Sequence, residues 1–283
     1  MTKSLKELLS EALSPEEITH VHDSYDIVGD IAIIRLTEAS QKHGKDIAKA
    51  IMSIHKNVKT VVEQTGPVRG DYRTRELRYV AGEDKTVTNH VESGCLFSVD
   101  LSACYFSPRL SHERMRIAEQ VSDGETVVNM FAGVGCFSLV IAKHSNAARV
   151  YSIDINPAAF KCMRRNIRVN RAYGRIIPVL GDAKEVVEAR LLHVARRVLM
   201  PLPEKALEYL PYALLALRGS GGWIHYYDFE HSKKERDAVE EVKLRVSEKL
   251  ACLNAAFEVQ YGRVVRSTGP NWFQVVLDIL VKG

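Results

Sequence analysis

From about residue 119 onward, short apolar runs alternate with longer stretches of helical periodicity, and nothing else in the chain constrains its fold as strongly. Strands are expected over 126–131, 149–154, 175–180, 194–200 and 223–227. Helices are expected over 137–143 and 157–170, and 272–281 alternates well enough for a last strand. Strand–helix repeats of this length close most readily into a parallel, doubly wound sheet, so this part reads as a Rossmann-like α/β domain.

The first part of the chain reads differently. Ser14-Pro15-Glu16-Glu17 combines an N-cap serine, a proline at the first helical position and a glutamate placed for a capping box, so a helix starts there. Residues 25–36 read as two short strands turning at Gly29-Asp30, followed by a helix near 40–54 and a strand at 58–64. Two β-rich stretches, 72–80 and 85–106, complete a small α+β domain. The expected division is therefore a helical segment over 1–20, a small α+β domain over 21–118 and the Rossmann-like domain over 119–283.

Composition excludes several classes. No apolar run reaches the ~18 residues of a membrane span, and the N-terminus has no apolar signal-peptide core. The five cysteines lie far apart without a C-x-x-C pair, which argues against a zinc site and a disulfide framework and fits a cytoplasmic chain. The net charge of +4 is mild but unevenly spread: residues 1–118 carry 16 Lys/Arg against 17 Asp/Glu, and residues 119–283 carry 23 against 18. Much of the excess sits in Lys161, Arg164, Arg165, Arg168, Arg171 and Arg175. Such a cluster is either a solvated helix face or a surface that follows phosphates.

The first strand of the second domain runs into Phe131-Ala132-Gly133-Val134-Gly135-Cys136-Phe137-Ser138. Glycines 133 and 135 permit a tight turn and close backbone approach to a ligand. The dinucleotide fingerprint wants a third glycine where Ser138 stands, which favours a cofactor without a pyrophosphate. Asp154 ends the second strand, where a carboxylate accepts from a ribose diol, and Asp182 follows the third, within reach of an adenine amino group. Either acid alone is equally a helix N-cap. Together with the glycine turn they outline a nucleoside cradle, and analogy of fold favours S-adenosylmethionine over a nicotinamide cofactor.

Three upstream strings then carry a resemblance: Gly70-Asp71-Tyr72-Arg73-Thr74-Arg75-Glu76-Leu77, Ala81-Gly82-Glu83, and Tyr105-Phe106-Ser107-Pro108-Arg109-Leu110-Ser111-His112-Glu113-Arg114. With Met130 to Gly135 they resemble the archaeal and eukaryotic tRNA guanine-37 N1-methyltransferase family over roughly residues 20–283. The resemblance implies S-adenosylmethionine as cofactor, the anticodon loop of tRNA as substrate and a soluble, monomeric enzyme. It implies Glu113 as the base that takes the guanine N1 proton and Arg73 as the cation that stabilises charge on O6. It also implies cofactor contacts from Arg109, Arg114, Asn129, Phe131, Ala132, Gly133, Val134, Gly135, Asp154, Ile155, Asp182, Ala183, Met200 and Pro201. Arg75, Arg164, Arg165, Arg168 and Arg171 are the expected RNA contacts, and no metal is expected. Since Arg73 belongs to the small domain and Glu113 precedes the sheet, the active site is expected in a cleft between the domains.

Three departures from the family pattern are visible. Asn129 stands where the family has an acid, Pro201-Leu202-Pro203 replaces a motif beginning with asparagine, and only about twenty residues precede the second domain, so the extra N-terminal domain of many archaeal members is expected to be missing. A sister family, the aminocarboxypropyl transferases of wybutosine synthesis, shares the fold and cofactor and is the alternative reading. A catalytically silent RNA-binding relative is the third.

Overall fold

A computed structural model describes residues 4–232 and 237–283, which form two compact units, Met1–Arg109 and Leu110–Gly283. The division falls at Arg109/Leu110 rather than at 118/119, because the helix that begins at Ser111 bonds to strands of the second unit.

In the first unit, α1 (Leu5–Leu9) and α2 (Pro15–Thr19) precede β1 (Asp26–Val28) and β2 (Ile31–Ile34). The capping box of α2 forms as its sequence dictates: Ser14 Oγ accepts from the Glu17 amide, and the Glu17 carboxylate accepts from the Ser14 amide at 3.0 Å. Next come α3 (Gly44–Ile54), β3 (Thr60–Gln64) and β4 (Leu77–Gly82), and the sheet order is β1-β2-β3-β4. Ile47 and Ile51 of α3 pack with Ala32, Ile34 and Val61 of the sheet as one apolar cluster. The stretch expected to be β from residue 72 becomes a strand only at Leu77, because Gly70 and Arg73 both adopt positive φ and turn the chain. A hairpin of β5 (Val87–Glu92) and β6 (Cys95–Asp100) completes this unit.

The second unit opens with α4 (Ser111–Glu119) and then alternates: β7 (Thr126–Asn129), α5 (Cys136–His144), β8 (Arg149–Asp154), α6 (Pro157–Val169), β9 (Ile176–Leu180), α7 (Ala183–Arg190), β10 (Arg197–Met200), α8 (Pro203–Ala216), β11 (Gly221–His231), α9 (Ala238–Cys252), β12 (Phe257–Gly269) and β13 (Trp272–Lys282). The sheet order is β12-β13-β11-β10-β7-β8-β9. Strands β7 to β11 run parallel, as expected. β13 pairs antiparallel with β11 and β12 antiparallel with β13, so the sheet is mixed. The cause is local: after α9 the chain runs out along β12 and returns directly through a tight turn with Asn271 at positive φ.

β7, β8 and β9 build the sheet in one direction, while β10 and β11 build it in the other. The junction of β7 and β10 is thus a topological switch point, where the carboxyl ends of the strands leave a crevice for a ligand. Both margins of the sheet are irregular: Pro178 sits in the middle of β9, and β12 carries three register shifts against β13. No helix among the described residues is long and apolar enough to cross a membrane.

Candidate active site

Each residue expected in the nucleoside cradle lies at the carboxyl end of a parallel strand or just beyond it. β7 ends at Asn129, and the chain turns through Gly133 (φ 57°) and Gly135 (φ 92°) into α5. A side chain at 135 would be strained in that left-handed conformation, and its Cβ would press on Met163 Cγ at 3.2 Å. The turn is pinned from the next strand end: Asp154 Oδ2 accepts from the Gly133 amide at 2.6 Å, and Oδ1 accepts from the Asn156 amide at 2.9 Å. Asn166 of α6 reaches back to the Val134 carbonyl at 3.0 Å. Burial pushes the Asp154 carboxyl above the ordinary carboxylate range, against the pull of those two amides.

Asp182 caps α7, accepting from the Lys184 amide at 2.9 Å with one oxygen and from Tyr209 Oη at 2.8 Å with the other. Tyr209 stands edge-on to Phe131, centroids 5.2 Å apart, so the glycine turn and the α7 entrance share an aromatic wall. Ile155 and Leu180 are exposed apolar residues beside these acids, and Ala183 begins α7 with its side chain buried. Met200 ends β10 in the core, and Pro201 follows it, half-buried.

These residues fit a nucleoside cofactor. Two acids and two exposed apolar side chains are the groups that a ribose and an adenine face would call for. Asn129, whose Nδ2 donates to Ser138 Oγ at 3.1 Å, keeps a fully buried Oδ1 with no protein partner among the described residues. A buried acceptor left in this way costs free energy until a donor meets it.

Glu113 and Arg114 lie on α4, both buried. Glu113 is 1% exposed and held from three elements. Tyr227 Oη of β11 donates to Oε1 at 2.7 Å, Arg116 Nη2 donates to Oε1 at 2.7 Å and Arg116 Nε to Oε2 at 3.0 Å, and Arg263 of β12 donates to Oε2. The Tyr227 ring lies 6.0 Å from Phe137, near the start of α5, so two side chains connect Glu113 to the helix that follows the glycine turn.

Sequence reasoning missed what stands behind Glu113. Asp278 accepts from Arg116 Nη1 at 2.5 Å and from Gln120 at 3.2 Å, and its Oδ1 meets His225 Nδ1 at 2.6 Å. His225 Nε2 lies 2.6 Å from Arg197 Nη1. A guanidinium only donates, so Nε2 accepts and the imidazole proton sits on Nδ1, directed at Asp278. Arg197 completes the chain with Glu125 at 2.8 Å. Burial acts to push the Asp278 carboxyl up, yet His225 and Arg116 outweigh it and hold the group well below the usual range. A signal for this network was present: His225 interrupts the apolar run Trp223–Tyr227, and Asp278 interrupts the apolar run Val275–Val281.

In the first unit, Arg73 and Arg75 lie over the Tyr105 ring, 4.9 and 5.1 Å from its centroid. Arg73 adopts φ 52°, a conformation that non-glycine residues rarely take outside turns and functional sites. Arg75, expected among the RNA contacts, is 7% exposed and donates to the Phe106 carbonyl at 2.7 Å, so it braces the segment leading to Ser107-Pro108-Arg109. Arg109, expected at the cofactor, donates to Asp26 at 2.5 Å. Arg164, Arg165, Arg168 and Arg171 are all exposed on α6 and the turn after it, with Arg168 bonded to Tyr173 Oη at 3.0 Å.

Residues 88–254 match the TRM5/TYW2 methyltransferase domain, and residues 5–86 match the TYW2 N-terminal domain. The tRNA (guanine(37)-N(1))-methyltransferase Trm5b of Pyrococcus abyssi is 39% identical over 268 residues, 94% of this chain and 78% of that protein. The tRNA 4-demethylwyosine(37)-methyltransferase Taw21 of Saccharolobus solfataricus is 36% identical over 256 residues, 90% of this chain and 92% of that one. Among solved structures, the complex of aTrm5 with tRNALeu aligns with a TM-score of 0.84 at 34% identity, covering 100% of this chain and 79% of that one. P. horikoshii TYW2 in complex with MeSAdo aligns with a TM-score of 0.79 at 28% identity, covering 100% and 99%.

Proposed function

Because the chain belongs to the TRM5/TYW2 methyltransferase family, we propose that it methylates N1 of guanine-37 in the anticodon loop of tRNA, using S-adenosylmethionine. The bound cofactor supplies an electrophilic methyl group on a sulfonium. Asp154 binds its ribose, Asp182 meets its adenine, and the Gly133–Gly135 turn lets the backbone approach it closely. The ligand-bearing relatives of the family, P. horikoshii TYW2 with MeSAdo among them, support the choice of cofactor.

Guanine N1 carries a proton that must leave before the nitrogen can attack. Glu113 is the base that takes it, a role typically worth ~10²–10⁴ in rate. Loss of that proton puts negative charge on O6, which Arg73 meets with its guanidinium, a contribution of ~10²–10³ for one preorganised donor. The observation that carries this reading is Glu113 itself: a carboxylate 1% exposed and bonded to four donor atoms from three elements, which a merely structural helix position has no need of.

A second reading is favoured by the TYW2 match over residues 5–86 and by Pro201-Leu202-Pro203, which offers no side-chain amide to a guanine. In it, the same cradle serves aminocarboxypropyl transfer to a tricyclic guanine derivative. Mass spectrometry of tRNA incubated with enzyme and S-adenosylmethionine separates the two. One methyl mass at guanine-37 of unmodified tRNA is the expected product. An aminocarboxypropyl adduct found only on tRNA carrying 4-demethylwyosine would replace the first reading by the second, and no adduct on either RNA would leave a silent binder.

A further inference from the structure

Arg116 is shared between two buried carboxylates. One edge of its guanidinium straddles Glu113, with Nε 3.0 Å from Oε2 and Nη2 2.7 Å from Oε1. Its other edge faces Asp278, with Nη1 2.5 Å from Oδ2 and Nη2 3.1 Å from Oδ1. Asp278 cannot turn away, since His225 and Gln120 hold it from β11 and the end of α4. We propose that Arg116, fixed in place by Asp278, is a positioning residue that aims the Glu113 carboxylate and, with Asp278, sets its basicity. The proposal rests on the reading of Glu113 as the base.

The geometric part follows from the fork. A glutamate side chain on a helix has three torsions to lose, and a base has to present a lone pair to its proton within hydrogen-bond reach. Two parallel bonds from one planar guanidinium fix both the direction and the roll of the carboxylate, which a point charge does not. Arg116 itself lies 5.2 Å from the Tyr261 ring, so its plane is also braced from β12.

The electrostatic part follows from the charge count around the carboxylate. Four groups face it: Arg116 from its own helix, Tyr227 from β11, Arg263 from β12 and, across Arg116, Asp278 from β13. Two cations, Arg116 and Arg263, face the carboxylate, and Asp278 shares Arg116 with it as a second counter-charge. Removing a neighbouring cation disfavours an anion, and removing a neighbouring anion favours it. Tyr227, pushed well above the tyrosine range by burial and by Glu113, stays protonated and acts only as a donor.

The two partners therefore have opposite effects, which a purely structural role does not produce. The experiment is the pH dependence of single-turnover group transfer to tRNA for wild type, Glu113→Gln, Arg116→Gln, Arg116→Lys and Asp278→Asn. Melting temperature and the affinities for tRNA and cofactor are measured alongside. Arg116→Gln should move the acid limb of the profile to higher pH, and Asp278→Asn to lower pH, each by about one unit. Arg116→Lys keeps the charge without the fork, so the limb should stay while the plateau falls about ten- to hundredfold. Affinities should stay within about twofold of wild type in all of them. Limbs that do not move, or that move the same way in Arg116→Gln and Asp278→Asn, overturn the proposal while a slow Glu113→Gln leaves the base reading intact. A Glu113→Gln enzyme of normal rate overturns the base reading itself. Should Arg116→Gln not fold, the contrast between Asp278→Asn and Arg116→Lys decides the matter alone.

Discussion

At the scale of single residues, Asp154 pins a backbone turn and is the carboxylate proposed to hold the cofactor's ribose. Its two oxygens accept from Gly133 and Asn156, and burial still raises its carboxyl above the ordinary range. Ribose hydroxyls need the ionised form as acceptor, so affinity for S-adenosylmethionine should fall as pH drops, and should start to fall above the ~3.9 of a free aspartate. Calorimetry between pH 7.5 and 4 should show that decline in wild type. Asp154→Asn should lose ~1–3 kcal/mol of affinity at neutral pH and show a flat profile. A flat wild-type profile would remove Asp154 from the ribose. Arg73 gives a second prediction: Arg73→Lys keeps the charge but loses the planar guanidinium that lies over Tyr105, so single-turnover transfer should be partly retained, and Arg73→Ala should lose ~10²–10³. Equal rates for the two variants would assign Arg73 no electrostatic task. Asp154, Gly133 and Gly135 were legible because their spacing follows the strand–helix rhythm. Tyr227, Arg263 and Asp278 were not, because each meets Glu113 or Arg116 only when distant strands are brought beneath α4.

At the scale of elements, α6 presents one apolar face to the core through Ala159, Met163 and Ile167, and its arginines to the outside. If Arg164, Arg165, Arg168 and Arg171 follow the tRNA backbone, each neutralised phosphate contributes to the salt dependence of binding. Replacing all four with alanine should then flatten the slope of log affinity against log salt by up to roughly 3, taking ~0.7 per contact. An unaltered slope would return them to the role of a solvated face. The start of α2 was readable from Ser14-Pro15, where cap and first-turn proline are adjacent, and the structure shows the same pairing in Asn156-Pro157 at the start of α6. β12 was not read, since Gly262 and three register shifts break the alternation that marks a strand. α8 was hidden by Pro211 in its interior, a residue that ordinarily ends a helix.

At the scale of the whole molecule, the buried chain from Glu125 through Arg197, His225 and Asp278 to Arg116 makes folding sensitive to acid. His225 is fully buried, and that burial, helped by Arg197 and Arg116, lowers its proton affinity further than Asp278 restores it. The unfolded chain takes up a proton below about pH 6.5 that the folded chain refuses, so stability should fall as pH drops below that value, by at most ~1.4 kcal/mol per unit from this residue. Asn offers the same donor to Asp278 without titrating. Denaturant melts of His225→Asn should show lower stability at pH 7.5 but a shallower decline towards pH 5 than wild type. Parallel declines would acquit His225. The mixed seven-stranded sheet around this chain has one more consequence, which concerns other molecules. An outermost strand with evenly spaced amides and carbonyls is a template on which a foreign strand can grow. Here the β9 border lacks a donor at Pro178, and the β12 border changes phase at each of its three register shifts. Neither border offers a regular ladder, so this sheet gives a foreign strand no continuous template to extend.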